Sequence, residues 1–185
     1  KLTLEPLEQN EVRVVALDQS FYALCDEKVA GTLIPVFSLR SEGSFGVGDF
    51  GDLKLMVDWM AKTHQRLLQV LPINDSTSTH TWTDSYPYSC ISIFALHPQY
   101  ADLRQLPALK DKLEADRFEV LREELNALPQ IDYERVNNAK LKYLRLLFEQ
   151  EGKKVLASKE FKTFFADCER WLAPYAHYCY LRDFY

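Results

Sequence analysis

The sequence predicts an α/β fold, and three observations predict it. Two short apolar runs, at 32–39 and 66–71, have the length and composition of buried strands. Between them lies a segment with apolar residues at helical spacing, which makes a strand–helix–strand unit of some 40 residues. From about residue 110 onward the pattern is helical throughout.

Taken in order, residues 1–30 are polar and weakly patterned, with a short strand predicted over 11–17. The first apolar run, Thr32 to Leu39, contains Pro35, which cannot donate to a ladder and so argues for an edge or a strand end. A glycine-rich loop follows, with Gly43, Gly46, Gly48 and Gly51 close together. Asp49 is placed to cap a helix whose apolar face is Leu53, Met56, Val57, Met60, Ala61 and His64. The second run, Arg66 to Leu71, ends at Pro72, and the crossover makes the two strands parallel neighbours. Residues 73–100 form a long connection rich in Ser, Thr, Asp and aromatics, a length that marks a functional loop.

Beyond it, Val136, Ala139, Tyr143, Leu144 and Leu147 share one helix face, and Gly152 is read as the residue just past that helix. Ser158 caps the next helix, whose stripe of Phe161, Phe164, Phe165, Cys168, Trp171 and Leu172 reads as core packing. Pro174 suits the first turn of a further helix.

With 185 residues, the chain is long enough for one ordinary domain with its own core. Hydrophobic residues make up 47% and charged residues 26%, which excludes a disordered or fibrous chain. A net charge of −5 argues against a general nucleic-acid or anionic-membrane surface. Four cysteines (Cys25, Cys90, Cys168, Cys179) are too sparse for a stapled secreted scaffold and read as reduced thiols, the last two buried on helices. Lys1 to Asn10 lacks the apolar stretch of a secretory leader. The chain begins without Met and stops in an aromatic helical pattern at Tyr185, so both ends read as interrupted.

Two motifs are weighed and set aside. Gly46 to Gly51 spells G-x-G-x-x-G, but it begins seven residues after Leu39 rather than directly off the strand, and the second strand runs into Pro72-Ile73-Asn74-Asp75. Close packing explains these glycines better than a dinucleotide. His64, His80, His97 and His177 are scattered without ligand spacing, so no metal and no cofactor is expected. A third motif is stronger. Residues 82–89, Trp-Thr-Asp-Ser-Tyr-Pro-Tyr-Ser, gather three aromatics, a carboxylate and hydroxyls just past a strand's C-terminal end, where α/β barrels carry their sites. Aromatic faces suit the C–H faces of sugar rings, and Asp and Ser suit their hydroxyls. The same rings could equally pack the loop onto the domain, and the chemistry leaves both readings open.

Several joined blocks decide the matter differently: Ile34-Pro35-Val36-Phe37-Ser38-Leu39-Arg40-Ser41, Phe45-Gly46-Val47-Gly48-Asp49-Phe50, Gln69-Val70-Leu71-Pro72-Ile73-Asn74-Asp75, Asp84-Ser85-Tyr86-Pro87-Tyr88-Ser89 and Phe94-Ala95-Leu96-His97-Pro98. With Ile131-Asp132-Tyr133-Glu134 and Trp171-Leu172-Ala173-Pro174-Tyr175-Ala176, they resemble the 4-α-glucanotransferases (amylomaltase, or disproportionating enzyme) of glycoside hydrolase family 77. The resemblance runs in order over residues 31–185. The S-L-R-S and D-S-Y-P-Y forms are similar to the subgroup with starch-binding modules ahead of the catalytic domain, which makes residues 1–30 the linker to such modules.

The resemblance implies a partial (β/α)8 (TIM) barrel: the first βαβ unit plus a mainly helical insertion, as the N-terminal part of the catalytic domain. It implies a cytoplasmic enzyme that transfers α-1,4-glucan segments between maltodextrins by a retaining mechanism. The carboxylates that do this come from later strands, so no catalytic residue is expected here and the chain alone is expected to be inactive. Tyr88 is the first choice for substrate binding, with Ser85, Asp84 and Trp82 behind it; Asp84 is also expected to fix the loop, and Asp75 its turn. The implied partner is an α-1,4-glucan or maltooligosaccharide, with self-association through exposed strand edges. The alternative is a non-catalytic glucan-binding or protein-interaction module built from the same segments.

Overall fold

The computed structural model describes residues 29–185; the strand expected over 11–17, Cys25 and all but the last two residues of the expected linker lie outside them. Strand β1 (Gly31–Leu33) and strand β2 (Leu67–Gln69) pair in parallel, with Gly31 opposite Leu67, Thr32 opposite Leu68 and Leu33 opposite Gln69. Helix α1 (Phe50–Lys62) makes the crossover, as the sequence predicts.

The first strand is shorter than expected. The ladder ends with Ile34 N–H donating to the Gln69 carbonyl at 2.9 Å, because Pro35 has no N–H to continue it. The backbone then tightens into a 3-10 turn at Val36–Ser38. Nor are the strands buried: Leu33 is 58% exposed and Leu67 56%, since no third strand or helix covers that face among the described residues.

Asp49 caps α1 as predicted. Its Oδ1 accepts from the amides of Gly51 and Asp52, and Asp52 Oδ2 accepts from the Asp49 amide, a reciprocal box. Asp52 also accepts from the Ser41 and Ser44 hydroxyls at 2.5 and 2.7 Å, which ties the glycine-rich loop to the same helix end. His64 is not on the apolar face. It sits past the helix end, exposed, at φ 59°.

The glycines pack, as the sequence reading has it. Gly46 takes φ +76°, and a Cβ there would lie 2.9 Å from Leu125 Cβ. A Cβ on Gly48 would stand 2.0 Å from the Val36 carbonyl oxygen. This close approach builds the core beneath the loop rather than beneath the sheet. Phe45 and Val47 meet Leu103, Leu109, Phe118, Leu125, Val136 and Ala139, drawn from the segment after the long loop and from helices α2 (Lys112–Ala127) and α3 (Tyr133–Ala157).

Three helical expectations need correction. Gly152 lies inside α3, where the Phe148 ring folds back over it; a Cβ would meet that ring at 2.9 Å. Helix α4 (Lys159–Phe184) is capped by Ser158, as expected, but runs through Pro174 without a break. None of its residues is buried: Phe164 is 48% exposed, and Cys168 and Cys179 are only half-buried, because α4 touches its neighbours through a few side chains. No described helix is long and apolar enough to cross a membrane.

Candidate functional site

The loop that follows β2 is closed at its base by backbone pairing. Asp75 N–H donates to the Ala95 carbonyl at 2.9 Å and His97 N–H to the Ile73 carbonyl at 3.0 Å, around a bridge between Asn74 and Leu96. Two buried carboxylates then shape what lies between. Asp75 Oδ1 accepts from the Thr77 amide at 2.9 Å and hydroxyl at 2.6 Å, an Asx turn of the kind expected for it. Asp84 accepts from the Thr79 amide and hydroxyl and, at 2.7 Å, from the His80 amide. The Ser76 hydroxyl closes the turn on the Asp84 carbonyl at 2.5 Å.

His97 belongs to the same buried frame. Its Nδ1 accepts from the Gln99 amide at 3.1 Å, which leaves the proton on Nε2, facing Thr77 Oγ1 at 3.5 Å. Burial pushes this imidazole below its ordinary pKa, against the opposing pull of Asp75 and Asp84. It is a neutral strut at neutral pH.

With the carboxylates turned inward, the rings face out. Trp82 is 68% exposed and Tyr88 60%, with Tyr86 beside it at a ring separation of 5.6 Å and a tilt of 51°. The Trp82 amide donates to Glu134 at 2.9 Å, which pins the 3-10 turn at Trp82–Ser85 to the start of α3. Ser85 is half-buried between the two sets. Of the four residues singled out from sequence, Trp82 and Tyr88 therefore stand on the outer surface, while Asp84 is 6% exposed and engaged by its own loop. Both oxygens of Asp52, Asp75 and Asp84 accept from donors of this chain. Among the described residues no group of three or more His, Cys, Asp or Glu is arranged to hold a metal ion, and Cys90, Cys168 and Cys179 are free.

The partners of this loop on α4 were not legible in the sequence. Trp171 stacks on Phe94 at 5.5 Å, the Tyr175 hydroxyl donates to Asp75 Oδ2 at 2.5 Å, and Arg182 donates to the Thr77 carbonyl at 2.7 Å. Their spacing of four and seven residues was the available signal.

The family model for 4-alpha-glucanotransferase, glycoside hydrolase family 77, matches residues 34–185, which begins just after β1 and takes in β2, the loop and the four described helices. The chain belongs to the 4-alpha-glucanotransferase family. A rice (Oryza sativa subsp. japonica) relative, 4-alpha-glucanotransferase DPE2, is 44% identical over 158 residues, covering 84% of this chain and 16% of the relative. The 4-alpha-glucanotransferases of Chlamydia caviae and Chlamydia muridarum are 36% and 32% identical, covering 78% and 83% of this chain and 27% and 28% of theirs. The chain thus spans less than a third of the length of these 4-alpha-glucanotransferases.

Proposed function

We propose that this chain is the N-terminal part of the catalytic domain of a cytoplasmic 4-α-glucanotransferase and supplies one wall of its glucan cleft. The observation that carries the reading is the division within the 73–97 loop: carboxylates buried and saturated, rings of Trp82, Tyr86 and Tyr88 presented to solvent. Buried polar groups make such a loop rigid, and rigid exposed rings are what a sugar face needs. In this scheme Tyr88 lines the donor side beside the scissile bond, with Ser85 and Trp82 flanking it. Asp84 acts on substrate only through the loop it holds.

β1 and β2 are read as the first two strands of a (β/α)8 barrel and the helices as its insertion, with residues 1–30 leading from upstream starch-binding modules. The exposed Leu33 and Leu67 leave one face of the pair uncovered, which supports a sheet built to be completed, and the outer edges of a two-strand sheet in isolation favour pairing with a second copy. The reaction is transfer with retention. A carboxylate displaces the leaving glucan at C1 while a second carboxyl protonates its oxygen; an acceptor hydroxyl then reverses both steps, with the carboxyls about 5–5.5 Å apart. Asp52, Asp75 and Asp84 are committed to structure and do not fill those roles. The 185-residue chain alone is therefore inactive.

The test is disproportionation of maltotriose. The complete gene product is expected to form glucose and longer maltodextrins, and the chain alone to form neither. Products from the chain above a blank, or none from the complete gene product, overturn the reading.

A further inference from the structure

Trp171, Tyr175 and Arg182 fall on one face of α4, and all three reach the same loop. Tyr175 and Arg182 grip the loop's first turn, at Asp75 and at the Thr77 carbonyl. Asp183 accepts from His80 Nε2 at 2.9 Å and from Arg182 Nε at 2.8 Å, so the guanidinium is braced where it binds. Trp171 meets Phe94 on the returning limb. These contacts bracket the segment that carries Trp82, Tyr86 and Tyr88, one side before it and one side after.

Such bracketing has a physical purpose. Between Asp75 and Ala95 the loop has no strand of its own, and segments of that kind open locally at low cost unless something outside holds them. Tyr175 supplies the strongest hold, a hydroxyl donating to a carboxylate that is 1% exposed. Burial and the neighbouring Asp75 carboxylate push the Tyr175 hydroxyl well above its ordinary pKa, so it keeps the proton it donates.

We infer that this face of α4 positions the glucan-binding loop: Tyr175 and Arg182 set where the rings of Tyr86 and Tyr88 stand, without touching substrate themselves. The inference rests on the proposed glucan-binding role of the loop. Both are positioning residues: a binding wall that loses its anchor holds substrate less tightly, while the reacting groups, which lie elsewhere, are left in place.

The experiment uses the complete gene product with Tyr175→Phe, which keeps the ring and removes the hydroxyl. Hydrogen exchange at residues 76–90 is expected to quicken about tenfold, the equivalent of one hydrogen bond to a charged group, while amides of α2 and α3 keep their rates. With maltotriose as substrate, KM is expected to rise about three- to tenfold and kcat to change less than twofold. Arg182→Met should behave like Tyr175→Phe, and Arg182→Lys, which keeps a donor but not the fork, should fall between Arg182→Met and the parent on both readouts. Unchanged loop exchange in Tyr175→Phe and Arg182→Met overturns the inference, as does exchange that quickens equally in α2 and α3. Should Tyr175→Phe fail to fold, the Arg182 pair decides alone. If the complete gene product transfers no glucan, the functional reading fails, and the exchange comparison still decides whether α4 positions the loop.

Discussion

Lys140 Nζ lies 3.8 Å from Asp49 Oδ2, with both side chains closed off from water. The same ammonium donates to the Gln99 carbonyl at 2.6 Å and the Ala101 carbonyl at 2.8 Å. One cation on α3 thereby joins the capped start of α1 to the chain leaving the aromatic loop. Lys140→Met is expected to cost about 2–4 kcal/mol, because it takes the donor from two carbonyls and leaves the buried Asp49 carboxylate with only Arg104 and its cap amides as partners. Urea unfolding measures it. A loss below about 1 kcal/mol would mean that the ammonium is not what holds these segments.

The same residue gives alkaline pH a defined effect. Burial lowers the Lys140 pKa from 10.5 to about 8, with Asp49, Asp102 and Asp52 pulling it back up and Arg104 adding to the fall. Between about 8 and 10.5 the unfolded chain therefore holds the proton that the folded chain has released. Stability contributed by this group rises with pH across that window, by at most ~3.4 kcal/mol, and is flat below it. The difference between parent and Lys140→Met unfolding curves at pH 7, 8, 9 and 10 isolates the term from other titrating groups. A difference that does not change over that range contradicts the assignment.

Gly46→Ala tests whether the glycine-rich run packs. The residue must hold φ +76° and press against Leu125 and Val136, so the substitution is expected to cost about 2 kcal/mol or more. Thermal unfolding reads the loss directly. An unchanged midpoint would return the run to the category of unexplained glycines.

Tyr88 and Asp84 are expected to separate function from stability. Tyr88→Ala removes an exposed ring, so stability should stay within about 0.5 kcal/mol while maltoheptaose affinity of the complete gene product falls about tenfold. Asp84→Ala orphans the Thr79 and His80 amides and should cost about 2–3 kcal/mol as well as affinity. Calorimetric titration beside unfolding distinguishes them; equal loss of stability in both variants would refute an outward-facing Tyr88.

What could be read in advance followed local physics. The Asp49 cap, the Ser158 cap and the Asp75 turn each depend on residues within a few positions of one another, and each is present; the crossover unit is longer, but its strands and helix each carry their own local pattern. What could not be read depended on neighbours. Thr32 to Leu39 has strand composition, yet the ladder stops near Pro35. Gly152 resembles a helix end until the Phe148 ring is seen to occupy its bare side. The aromatic stripe of α4 has core periodicity and no core to enter, since periodicity reports a face and not what covers it. Lys140 was in view all along, four residues after Val136 on the apolar face of α3, where a cation signals a buried partner.

The tie between Asp75 and Tyr175 spans 100 residues, and that between Thr77 and Arg182 spans 105. A ribosome adding about 5–20 residues per second therefore takes roughly 5–20 s to deliver α4 after the loop has been made. Throughout that interval the nascent loop carries its exposed aromatics without their anchor. Substitutions in α4 that slow its docking lengthen this unguarded period, so they are expected to lower soluble yield in cells in addition to any effect on substrate binding.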